Sequence, residues 1–160
     1  MTKEEGERQI LEIGHGSGRY GEARRLREAV LRAPLGLTLA GEPPEREADF
    51  RHFGVVCGEA LLACLMVVGR GAGGVQIRQM AVCSGCRGRG LGRFLLEGVE
   101  ERLTGEGVRG VYLHARLEAE GFYGRLGYRR TGPGFEEVGI VHCRMEKELA
   151  GAVGNPFEEA

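Results

Sequence analysis

One stretch constrains the fold of this 160-residue chain more than any other. An alternating apolar segment over residues 75–82 leads through Cys83-Ser84-Gly85-Cys86 into Arg87-Gly88-Arg89-Gly90-Leu91-Gly92, and the apolar spacing that follows is helical. A strand, a glycine-rich turn and a helix in that order call for a layered α/β arrangement in which the helix packs back on the sheet. Within the strand, Val75 and Ile77 share one parity, while Met80 and Val82 share the other. Side chains alternate with a period of two, so one extra residue flips every later side chain to the other face. The pattern therefore predicts a β-bulge between Ile77 and Met80, with Met80 and Val82 taking over the buried face.

The turn has its own chemistry. A helix start carries unpaired N–H groups and the positive end of the helix dipole. Glycines ahead of it let backbone approach a ligand, which makes an anion site suited to a pyrophosphate. Arg87, Arg89 and Arg93 add positive charge. Two common phosphate motifs do not fit. No Gly-Lys-Ser/Thr is present, and the glycines at 88, 90 and 92 do not have the G-x-G-x-x-G spacing of a dinucleotide fold. On spacing alone the turn reads either as a phosphate cradle or as a tight strand-to-helix connection.

Around this centre, periodicity predicts strands over 9–13, 108–115, 128–131 and 138–145, and a hairpin of 50–57 with 60–68 turning at Gly58-Glu59. It predicts helices over 21–33, 90–104 and 116–126. Pro34 ends the first, and Leu91, Leu95, Val99 and Leu103 form one face of the second. Residues 41–49 read as an acidic surface loop, 70–74 as a glycine-rich turn and 149–160 as a frayed tail. The expectation is a single mixed α/β domain over 1–148.

Composition narrows the class. Hydrophobic residues make up 42% and charged residues 28%, as in ordinary globular proteins. The net charge of -1 gives no bulk attraction to nucleic acid or anionic membrane, so neither is expected as a partner. The five cysteines are an odd number, residues 1–5 are charged and polar, and no apolar run approaches membrane-spanning length. These features predict a cytoplasmic protein with reduced thiols. Cys83 and Cys86 form a C-x-x-C without the second ligand pair that zinc needs, so no metal is expected.

Two separate motifs then converge. Residues 77–82 followed by Arg87-Gly88-Arg89-Gly90-Leu91-Gly92 resemble the acetyl-CoA motif of the GNAT superfamily of N-acetyltransferases. Leu113-His114-Ala115-Arg116, Ala119 and Phe122-Tyr123-Gly124-Arg125-Leu126-Gly127-Tyr128 resemble that family's later segment, and residues 137–147 are similar to the final strand of some bacterial members. The resemblance implies a splayed central mixed sheet flanked by helices, with acetyl-CoA as co-substrate between the fourth and fifth strands. It implies backbone contacts from Met80, Ala81 and Val82 to the pantetheine arm, and N–H groups from Arg87, Gly88, Arg89, Gly90, Leu91 and Gly92 to the pyrophosphate, with Arg93 nearby. Arg116 falls where many members carry a cofactor-contacting Asn, and a guanidinium there can reach a phosphate. Tyr123 matches the family's general acid near the CoA sulfur; on spacing alone it reads first as a core tyrosine on the apolar face of its helix.

Acetyl transfer needs an uncharged amine, a donor for the tetrahedral oxyanion and a proton for the leaving thiolate. The N–H of Met80 or Val82 is the expected oxyanion donor. For the base, the candidates are His142 and Glu137 on the last strand, with His114 and His52 after them; each such residue is more often structural than catalytic, and ordered water can replace a base. The expected function is transfer of acetyl from acetyl-CoA to a primary amine. The alternative is a non-catalytic acyl-CoA sensor or interaction module of the same fold. Glu45, Glu47, Asp49, Glu136 and Glu137 form an acidic edge suited to a cationic acceptor, or else a solvated surface. Many relatives dimerise, which leaves a homodimer open.

Overall fold

The computed structural model describes residues 7–69, 74–149 and 156–157. Residues 1–6 lie outside that set, as does the expected turn at 70–74 apart from Gly74. The strands β1 (Arg8–Ile13), β2 (Arg51–Cys57), β3 (Ala60–Val68), β4 (Gly74–Val82), β5 (Gly110–Arg116), β6 (Arg129–Arg130), β7 (Phe135–Glu137) and β8 (Ile140–Glu148) hydrogen-bond in the order β1-β2-β3-β4-β5-β8-β6, with β7 on β8. β4 with β5 is parallel, and the pairs β1–β2, β2–β3, β5–β8, β6–β8 and β7–β8 are antiparallel, so the sheet is mixed. The chain divides into two compact units, Met1–Val68 with Gln79–Val99 and Gly69–Arg78 with Glu100–Ala160. The break falls inside β4 (Gly74–Val82) and inside α2 (Leu91–Gly105).

The first unit starts with β1 (Arg8–Ile13), which pairs with β2 (Arg51–Cys57). The hairpin of β2 with β3 (Ala60–Val68) turns at Gly58-Glu59, with Gly58 at φ +62°. β3 is buried almost throughout, from Leu62 to Val67, as a strand covered on both faces must be. Its register slips at Val55/Val56, and the carbonyl of Leu62 accepts from Cys83 N–H at 2.8 Å, which ties the end of β4 to β3.

Helix α1 spans Gly18–Arg27, so it starts and stops earlier than the periodicity predicts. Ser17 caps it by accepting from Tyr20 N–H at 3.2 Å. Beyond Arg27 the chain widens into a π-helical turn, Glu28–Arg32, then tightens into a 3₁₀ turn at Ala33–Leu35 around Pro34. α1 buries Tyr20 and Ala23 in a cluster with Ile13, Cys64 and Ala81. α2 buries Leu91, Leu95, Leu96, Val99 and Leu103, including all four residues of the predicted stripe. Each such side chain contributes about 1.5–3 kcal/mol of transfer free energy. Gly98 lets α2 approach β1, because a Cβ there would collide with the side chain of Ile10.

The second unit holds β5 (Gly110–Arg116), α3 (Glu120–Arg125), β6 (Arg129–Arg130), β7 (Phe135–Glu137) and β8 (Ile140–Glu148). The predicted helix over 116–126 is a 3₁₀ turn at Leu117–Ala119 followed by α3. The last strand begins later than predicted. Val138 sits at φ +45° and Gly139 at φ +76°, in a turn that joins β7 to β8. The described part of the expected tail is packed rather than frayed. Leu149 is buried and donates its N–H to Arg109 O at 2.9 Å. Phe157 lies against Gly74 and Gly110 and meets Tyr112 edge-on at 6.1 Å. Among the described residues no helix is long and apolar enough to cross a membrane.

Candidate active site

In the first unit, β4 reaches the turn through an irregularity at Gln79, whose φ is +50°. A non-glycine residue there costs roughly 1–2 kcal/mol, so neighbouring groups must hold it. The irregularity falls where the parity argument expects a bulge, but the burial differs from expectation. Ala81 is buried at 1% exposure, whereas Met80 and Val82 are only half-buried. Apolar character alone made Met80 and Val82 look like core. Their side chains are instead available to a ligand, and the small Ala81 packs against Ile13 and Tyr20.

Beyond Val82, Ser84–Cys86 forms a 3₁₀ turn, with Cys86 N–H bonded to Cys83 O at 2.9 Å. Arg87, Gly88, Arg89 and Gly90 are exposed, and both glycines are left-handed, at φ +80° and +73°. A Cβ on either would meet nothing within 4 Å, so backbone conformation rather than crowding calls for glycine there. Phe94 N–H opens the helical ladder on Gly90 O at 2.9 Å. The N–H groups of Leu91, Gly92 and Arg93 precede that bond and sit at the positive end of a helix running Leu91–Gly105. Left-handed glycines running into a helix start produce the concave N–H array that binds phosphate oxygens. The residues present therefore fit a pyrophosphate. The exposed Arg93 side chain pairs with Glu97 on the same helix.

The acidic loop looks different from its sequence. Glu47 is buried and forms a bidentate pair with Arg27, Nη1 to Oε1 at 2.9 Å and Nη2 to Oε2 at 2.6 Å. Tyr20 adds its hydroxyl at 2.8 Å. Burial opposes ionisation of Glu47, but hydrogen bonds from Arg27 and Tyr20 and the charges of Arg27 and Arg24 outweigh it and hold the carboxyl below its usual range. Glu47 therefore belongs to the interior and not to an acidic edge. Glu45, Asp49 and Glu136 are exposed. His52, on β2, lies under this pair with Nε2 3.2 Å from Glu47 O, and burial lowers its pKa. Among the described residues the cysteines are free thiols, and no group of three or more His, Cys, Asp or Glu could hold a metal.

In the second unit, Tyr123 lies on α3 with its ring edge-on to Phe122 at 5.0 Å and Tyr128 at 5.8 Å. Its hydroxyl has no hydrogen-bond partner among the described residues, and burial pushes its pKa up to about 12. Tyr128, by contrast, donates to Glu100 Oε2 at 2.6 Å and belongs to a structural group completed by Lys147.

Glu137 ends β7 and pairs with His114, Oε1 to Nδ1 at 2.7 Å, rather than with His142. His142 is buried, bonds its own strand through Nδ1 to Ile140 O at 2.8 Å and stacks on Phe135. Arg116 stands opposite His142, and His114 opposite Arg144, in the β5–β8 register. Directly opposed residues share a face, so His114, Arg116, His142, Phe135 and Glu137 line one side of this unit's sheet. The parallel pairing of β4 with β5 ends at Ile77↔Leu113, which makes His114 the first β5 residue past it.

The chain is similar in sequence and fold to known proteins. The Acetyltransferase (GNAT) domain family matches residues 58–149. The uncharacterized N-acetyltransferase YitI of Bacillus subtilis is 34% identical over 79 residues, covering 49% of this chain and 53% of that protein. The chain spans about half the length of the curated relatives it matches. Escherichia coli ElaA superposes with a TM-score of 0.74 at 23% identity, over 88% of this chain and 99% of that one. A GNAT family acetyltransferase of Elizabethkingia anophelis, solved with acetyl-CoA bound, superposes at 0.67 and 14% identity, over 89% and 98%. At those identities the two structures establish the fold. With a family match that spans more than half of its length, this chain belongs to the GNAT acetyltransferase family.

Proposed function

We propose that this protein transfers acetyl from acetyl-CoA to a primary amine. The observation that carries the reading is the turn from Arg87 to Gly92, where left-handed Gly88 and Gly90 run directly into the α2 N-terminus. Acetyl-CoA supplies the activated thioester. The N–H groups of the turn and of α2 hold its pyrophosphate, with Arg87 and Arg89 adding charge, and Met80, Ala81 and Val82 offer backbone to the pantetheine arm. The N–H of Met80 or Val82 polarises the carbonyl and steadies the oxyanion formed when the amine nitrogen attacks it.

Tyr123 donates to sulfur as the C–S bond breaks. Its phenol, at about 12, stays protonated at any physiological pH. A free thiol titrates near about 8.5, so full transfer to a free thiolate is uphill by roughly 5 kcal/mol. A hydrogen bond to the developing thiolate avoids that step. Proton removal from the amine falls to His114. With Nδ1–H given to Glu137, its Nε2 is the basic nitrogen, and that nitrogen has no partner among the described residues. His142 has a similar tautomer but is buried beneath Phe135.

The test is release of CoA thiol from acetyl-CoA across a panel of amines: polyamines, lysine, aminoglycosides and peptides with free N-termini. The expected result is turnover with at least one class, slowed about 10²-fold by His114→Gln. Acetyl-CoA binding without turnover on any amine would instead support an acyl-CoA-binding module.

A further inference from the structure

Gln79 is the one residue of β4 whose backbone is left-handed, and both ends of its side chain are held. Its Oε1 accepts from Arg27 Nε at 2.8 Å, and its Nε2 donates to Glu42 Oε1 at 3.0 Å. Neither partner is free to drift. Arg27, 1% exposed, spends its two terminal nitrogens on Glu47. Glu42 is gripped by Arg32 through Nε at 3.0 Å and Nη2 at 3.2 Å. The carboxamide therefore reads two fixed groups, a donor from α1 and an acceptor from the following loop.

A bulge needs no such apparatus for burial alone, and an apolar residue would fill the same space without desolvating charges. What the apparatus does determine is direction. The residues that follow Gln79 are Met80, Ala81 and Val82, and rotation at residue 79 re-aims every N–H after it. We infer that Gln79, clamped between Arg27 and Glu42, is a positioning residue that aims the Met80–Val82 backbone at the thioester. This rests on the acetyl-transfer reading above. The clamp leaves the phosphate cradle alone but aims backbone that meets both the pantetheine arm and the developing oxyanion, so its loss lowers kcat by a larger factor than it raises the KM for acetyl-CoA.

The donor-acceptor logic supplies the test. Gln79→Glu sets a carboxylate against Glu42, and adding Glu42→Gln restores a donor on one side and an acceptor on the other. We expect the single variant to lose about tenfold or more in kcat. Its KM for acetyl-CoA should rise by a smaller factor than kcat falls, and the double variant should recover most of both losses. Gln79→Gly adopts the left-handed backbone without strain but has no amide to clamp. It guards against misfolding of the first variant, and it should keep its melting temperature yet lose kcat to a similar extent. Unchanged kcat in Gln79→Gly, or a double variant that regains stability but not kcat, overturns the inference. If the wild type turns over no amine, the acetyl-transfer reading fails instead. The clamp is then judged by amide hydrogen exchange at Met80–Val82, expected about tenfold or more faster in Gln79→Gly; equal rates would contradict it.

Discussion

Tyr123 shows what one side chain gains from its surroundings. A tyrosine on the apolar face of a short helix usually finds a hydrogen-bond partner, as Tyr128 does with Glu100. Tyr123 has none among the described residues, and desolvation alone raises its pKa to about 12. Such a phenol is a donor in waiting. Tyr123→Phe should lower kcat by about 10²-fold or more, leave the KM for acetyl-CoA unchanged, and shift the melting temperature little. A fall in stability with normal kcat per folded molecule would return Tyr123 to the core. The motif that singled out this residue was legible in the sequence. Its missing partner was not, because satisfaction of a hydroxyl depends on side chains far away in the chain.

At the scale of elements, polar residues in apolar runs proved more informative than they look. The helix α2 stripe was readable because its four leucine and valine positions follow the helical period without interruption. β4 was readable only in part. Parity locates the irregularity but puts Met80 and Val82 on the buried face, whereas Ala81 is the buried residue. The misplaced signal was Gln79 itself, a polar residue in the middle of a buried strand whose partners, Arg27 and Glu42, are 52 and 37 residues away. β7 escaped detection because it has three residues, Phe135–Glu137, too few to show alternation. The loop carrying Glu47 read as solvated acid because nothing local marks Arg27 as its partner.

That pairing has a measurable consequence. The carboxyl of Glu47 is held below the usual glutamate range, so the stability it adds is complete above that range and decays as pH falls through its folded value. Glu47→Gln should cost about 3–5 kcal/mol near neutral pH, since it leaves Arg27 buried without its counter-charge. It should also flatten the decline of stability below about pH 4.5. Denaturant titrations of both proteins from neutral to acid pH measure this. Parallel acid limbs would show that Glu47 is not the group responsible.

For the molecule as a whole, the order of every strand but β7 was legible from local pattern (alternation, helical spacing and glycine placement), whereas the splayed mixed sheet and the family were legible only through the two motifs that resemble GNAT acetyltransferases. The assembly of His114, Arg116, His142, Phe135 and Glu137 on one sheet face was not, since it depends on the antiparallel registers of β5 and β7 with β8. The packing of Phe157 on Gly74 and Gly110 was equally hidden, because bare glycines on two strands say nothing about which ring will cover them.

The central claim is that the Arg87–Gly92 turn holds acetyl-CoA, and calorimetric titration of the wild type beside Gly90→Glu tests it most directly. Glutamate at φ +73° is strained and brings negative charge to the N–H array. Saturable binding to the wild type is expected, weakened about 10²-fold or more in the variant at comparable folded content. Absence of binding to the wild type, or equal binding by both proteins, would contradict it.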